Sequence, residues 1–140
     1  MRFAAFAVLA LACDLASAAD LTNPQQTQDV CAIAANKFVS GDMDGAFNAL
    51  VPYWPLPKEE IEALAYQSKT QMGMVSGRFG QPLAAEYVRT ETAGPSLVKH
   101  IFLLKHTKHA LRMSCVFYKP AGSWLVNSVV WDDKPQELFK

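Results

Sequence analysis

Between residues 24 and 79 apolar side chains recur at steps of three and four, and beyond Pro82 they alternate, so helices come first and strands follow. Asn23-Pro24 predicts a helix start, because asparagine caps free amides and a first-position proline gives up no hydrogen bond. Cys31, Ala34, Ala35 and Phe38 then share one face, and Gly41 supplies the stop. Asp42 caps a short second helix to about Leu50, with Ala46, Phe47 and Leu50 as its apolar side. Pro52, Pro55 and Pro57 exclude regular structure in the next stretch, where Tyr53 and Trp54 pack the loop onto the body. After Pro57, Glu59 and Glu60 open the longest helix, as the helix dipole prefers. Its stripe is Ile61, Leu64, Ala65, Ser68, Met72, Val75 and Phe79, and Gly80 ends it.

Four β segments follow, near residues 84–92, 96–106, 110–118 and 123–131. The turns between them are short, which makes neighbours antiparallel and the sheet a meander. The fold class is α+β: three N-terminal helices, the third long, packed on a four-stranded antiparallel sheet. If Thr92 pairs with Leu97, His106 with His109 and Tyr118 with Trp124, one face holds Tyr87, Phe102, Leu104, Leu111, Met113, Phe117, Leu125, Val129 and Trp131. That face is the more apolar and is expected against helix three. One polar row crosses it: Arg89 opposite His100, His100 opposite Cys115, Cys115 opposite Asn127. Either this row is the floor of a ligand pocket, or it is a hydrogen-bonded fringe of the core. The other face mixes Lys99, Lys105 and Arg112 with Ile101, Leu103, Val116, Tyr118, Trp124, Val126 and Val130, which suits a homodimer interface.

The N-terminus changes the setting. Met1-Arg2 precedes FAAFAVLALA over 3–12, and Ala16, Ser17, Ala18 and Ala19 follow. This predicts a signal peptide at 1–19, cleaved after Ala18 or Ala19, and a single domain over 20–140 that is periplasmic or secreted. A lipoprotein reading of Cys13 is the rival, but it needs leucine where Ala10 stands, and Leu9 is one place too far. Arg2 and Asp14 leave with the leader, so 13 basic and 13 acidic residues become 12 of each. A neutral domain without a basic stripe argues against nucleic acid as a partner. No later apolar run reaches membrane-spanning length, so no stable membrane insertion is expected after cleavage. Outside the cytosol, Cys31 and Cys115 can form a disulfide, or they are two buried thiols; the sequence leaves both open.

No catalytic motif stands out. Cys115 beside His100 has no recognisable oxyanion donors, and His106 and His109 flank a turn without a third ligand, as solvated histidines do. The Asp42, Asp44, Gly45 run has its glycine too early for a calcium loop, and Tyr53 stands where the closing glutamate belongs. Asp132 and Asp133 read as a solvated terminus. No catalytic residue, metal or cofactor is expected.

The element order, the run FVSGD over 38–42 followed by Ala46-Phe47, and the hairpin FYKPAGSWLV over 117–126 resemble the nuclear-transport-factor-2-like (cystatin-like) cone superfamily. Within it the chain is similar to small exported bacterial domains of unknown function. The resemblance implies a curved sheet wrapping the long helix, a conical cavity at the open end and dimerisation through the sheet. Members include isomerases, dehydratases and non-enzymatic binders, and no catalytic set of theirs matches here. The expectation is an exported binder of a small apolar ligand or a partner, with Arg89, His100 and Asn127 as polar floor and Tyr66 as a wall only if helix three rotates it inward. The alternatives are an isomerase or dehydratase using His100 as acid or base, and a structural dimerisation module.

Overall fold

A computed structural model of the chain describes residues 20–140; the leader and Cys13 lie outside the described residues. Helix α1, Pro24–Val39, opens with a reciprocal cap: Gln26 N–H donates to Asn23 Oδ1, and Asn23 N–H donates to Gln26 Oε1. Asp42 accepts from Gly45 N–H at 2.9 Å and starts α2, Met43–Asn48. The Pro-rich stretch is not wholly irregular, because Val51–Tyr53 closes a single 3₁₀ turn whose early proline needs no N–H partner. Trp54 beyond it is buried and stacks on Phe47 at 6.4 Å. Helix α3 runs Lys58–Phe79 and stops at Gly80, whose φ of 78° suits glycine and where a Cβ would meet Thr107 Oγ1.

Strands β1 (Pro82–Thr92), β2 (Leu97–His106), β3 (Ala110–Tyr118) and β4 (Leu125–Asp132) form one antiparallel meander in chain order. The β2–β3 register is the expected one, with His100 opposite Cys115. The two outer registers differ. A bulge between Tyr87 and Arg89 sets Thr90, not Arg89, opposite His100. At the last hairpin Tyr118 pairs with Leu125, not Trp124, which brings Val126 opposite Phe117, and a second irregularity at Val116/Phe117 then sets Val129, not Asn127, opposite Cys115. Val126 and Trp124 therefore join the core, at 1% and 5% exposure, rather than the outer face.

The helix against the sheet is α1, not α3 as expected. Helix α1 packs on β1, β2 and β3, whereas α3 packs chiefly on α2. The cause is the width of the apolar faces. Helix α1 buries Thr27, Val30, Cys31, Ala34, Ala35, Phe38 and Val39, a broad band with small residues that lets backbone approach sheet. Helix α3 buries only Ile61, Ala65, Ser68 and Phe79, and Leu64 from its expected stripe is exposed. It touches the sheet at the β4 side, where Trp131 Nε1 donates to Ser68 Oγ at 3.1 Å. Cys31 on α1 and Cys115 on β3 are joined by a disulfide with Cα atoms 6.0 Å apart, both fully buried.

The C-terminal residues do more than trail into solvent. Asp132 pairs with Arg112, the 3₁₀ turn Pro135–Leu138 packs on β3, and Arg89 Nη1 donates to Leu138 O at 2.8 Å. Ile101, whose register points it to the outer face, is only 3% exposed and has Arg89 opposite it on β1.

Candidate functional site

His100 is 1% exposed and sits at the centre of a hydrogen-bond chain. Thr27 Oγ1 donates to Pro24 O at 2.7 Å, which spends its one proton, so at 2.7 Å from His100 Nε2 it accepts. That assigns the Nε2–H tautomer. Nδ1 then accepts from Thr90 Oγ1 at 2.7 Å, and Thr90 accepts from Tyr87 Oη at 2.8 Å. The donors run one way: Tyr87 to Thr90 to His100 to Thr27 to Pro24 O. Burial holds the His100 pKa down to about 4, against a weaker upward pull from Asp29. The ring is neutral near pH 7, and neither nitrogen is left to take or give a proton to a substrate.

The remaining residues of the expected floor are scattered. Arg89 lies on the outer face opposite Ile101, with Nε on Glu91 Oε1 at 2.8 Å. Glu91 is held below the usual carboxylate range by hydrogen bonds first from Lys99 and then from Arg89. Asn127 is exposed at the second register irregularity. Cys115 does lie beside His100, but its sulfur is bonded to Cys31 and offers no thiolate. Thr27 and Thr90, the actual partners of His100, were missed. The available signal was Thr27 itself, a hydroxyl on the buried stripe of α1. His106 and His109 also depart from expectation: both pack against Phe79, His109 stacking at 5.1 Å and His106 tilted at 6.1 Å. Among the described residues no three His, Cys, Asp or Glu side chains gather to hold a metal, and no helix is long and apolar enough to cross a membrane.

Tyr66, the expected wall, does border a cavity, though not one over the sheet. A groove of about 420 Å³ lies between α2 and α3. Its floor is Phe47, Ile61 and Ala65, all buried, and Tyr66 stands beside it 73% exposed. Asp44 on α2 and Lys69 on α3 close one side through an ion pair of 3.2 Å, and Asn48 and Glu62 complete the lining. The walls follow from local sequence. The Asp42 cap places Asp44 and Phe47 in one short helix, and Ile61, Ala65 and Lys69 recur at steps of four on the facing helix. Gly45 N–H and then Lys37 hold the Asp42 carboxyl below its usual range, which keeps the cap ionised. The groove offers an apolar floor, one loose aromatic and charges of both signs.

The class defined by these features is α+β, with three helices leading into an open four-stranded antiparallel sheet. No family model matches the sequence, and no curated protein matches it. Among solved structures the chain is similar to a DUF4783 family protein from Bacteroides uniformis, at 10% identity and a TM-score of 0.47, covering 79% of this chain and 95% of that one. It is also similar to an NTF2-like protein of proposed transpeptidase activity from Campylobacter jejuni, at 16% identity and a TM-score of 0.45, covering 74% of this chain and 96% of that one.

Proposed function

We propose that the domain is an exported, non-enzymatic binding module that takes a small, partly apolar ligand in the α2–α3 groove. The observation that carries this reading is the juxtaposition of a buried Phe47–Ile61–Ala65 floor with an exposed Tyr66 and a spanning Asp44–Lys69 pair. An apolar group on the floor releases water, the Tyr66 ring folds over it, and Lys69 or Asp44 receives the polar end. The isomerase or dehydratase alternative loses its support, because His100 is sealed, neutral and occupied at both nitrogens. Export rests on the leader sequence and on a buried disulfide, which persists in an oxidising compartment.

Anilinonaphthalene sulfonate, an amphiphilic aromatic anion, is the probe to use first. Saturable fluorescence enhancement is expected. Tyr66→Ala and Lys69→Ala should each weaken it by about tenfold, equivalent to about 1.4 kcal/mol, with Asn127→Ala unchanged. Enhancement indifferent to both groove variants overturns the assignment.

A further inference from the structure

Among the described residues strand β1 has a free edge. It is 11 residues long, pairs there only with β2, and buries none of its residues; Leu83 is 60% exposed and Tyr87 43%. Sheet edges of this length are ordinarily covered or blunted, and here the blunting consists of Glu86, Arg89, Glu91 and the bulge. No lining residue of the α2–α3 groove belongs to this strand, so the two surfaces are separate.

The bulge changes what the edge can accept. Before it, Ala85 and Tyr87 face inward, opposite Leu104 and Phe102. After it, Thr90 and Thr92 face inward, opposite His100 and Val98. The inward set therefore passes from odd to even numbers within the strand. When two copies of one strand pair antiparallel about a two-fold axis, inward side chains must meet inward side chains. In this strand that condition matches residues before the bulge with residues after it.

Charge selects among the registers that remain. One sets Glu86 opposite the second copy's Arg89, Ala85 opposite its Thr90 and Ala84 opposite its Glu91. A shift in one direction sets Glu86 against Glu91, which repels; a shift in the other leaves Glu86 without a matched partner. In the favoured register the opposite-charge pair occurs twice by symmetry. Both side chains can reach outward: Glu86 is 56% exposed, bonding Lys105 through Oε2 alone, and Arg89 is 31% exposed. Arg89 uses Nε for Glu91 and Nη1 for Leu138 O, and its Nη2 has no hydrogen bond among the described residues. The axis passes between Tyr87 and Val88, and the two exposed Tyr87 rings flank it on the inner face.

We infer that two copies of this chain associate through their β1 edges, Glu86 of each opposite Arg89 of the other, to make one continuous eight-stranded sheet. Light scattering coupled to gel filtration, over a concentration series of the purified protein, tests the pairing. The native chain is expected to run as a dimer at high concentration. E86R and R89E should each run as monomers, and the E86R/R89E double variant, with the charges exchanged, should dimerise again. Circular dichroism and the melting temperature show whether each variant is folded. In case a reversal unfolds the chain, a second measurement uses cysteines: mixed E86C and R89C proteins should oxidise to a covalent heterodimer, since directly opposite Cβ atoms lie roughly 4.5–5.5 Å apart. A native monomer at every concentration, a dimer indifferent to folded single reversals, or a failure to crosslink would each overturn the inference.

Discussion

Thr27 accepts the Nε2 proton of His100 at 2.7 Å, and this bond ties the first turn of α1 to the middle of β2. Together with Thr90 on Nδ1 it makes a buried imidazole a fully satisfied core residue. Thr27→Val keeps shape and burial but leaves a buried N–H without an acceptor, so it should cost about 1–3 kcal/mol. Thr90→Val should cost a similar amount. Tyr87→Phe removes a hydroxyl that water can replace at a half-open site, and should stay within about 0.5 kcal/mol. Urea unfolding of the three variants checks the order.

The same histidine sets a pH dependence. Its folded pKa of about 4 lies below the ordinary 6.5, so the unfolded chain binds the proton more readily. The contribution of this group is complete above pH 6.5 and declines as pH falls from 6.5 toward 4, by up to about 3 kcal/mol. His100→Gln should be less stable near neutrality and lack this component of the slope. Subtracting its urea-unfolding pH series from that of the native protein removes the carboxylates, which titrate in both.

The disulfide spans a sequence separation of 84 residues, and with both cysteines fully buried its bond is shielded from thiol reductants. Mild dithiothreitol should leave the folded protein oxidised, as read by mass after alkylation. A Cys31→Ala/Cys115→Ala variant should lose about 4.6 kcal/mol in urea unfolding, the chain-entropy value for a loop of this length.

Much of the fold was legible because its signals are local. Asn23-Pro24, Gly41, Asp42 and Gly80 mark helix ends through capping and backbone freedom, and the turn at Thr107-Lys108 fixes the β2–β3 register that sets His100 beside Cys115. The bulge at Tyr87/Arg89 left no mark in the alternation, so Arg89 was expected on the face that Thr90 occupies. Periodicity also says that a helix has an apolar face, not which layer it enters. The regular stripe of α3 therefore looked like the sheet-facing one, although the broader, smaller-residue face of α1 takes that place. At the candidate site, Tyr66 was expected on a wall between α3 and the sheet; it borders instead the groove between α2 and α3, whose shape depends on how the two helices dock, a contact that neither encodes alone.

The binding account is tested most directly by amide chemical-shift mapping of isotope-labelled protein titrated with anilinonaphthalene sulfonate. Saturating shifts are expected at Asp44, Phe47, Asn48, Ala65, Tyr66 and Lys69, with His100 and Asn127 unmoved. Shifts centred on His100 and the inner sheet face, with the α2–α3 residues silent, would contradict it.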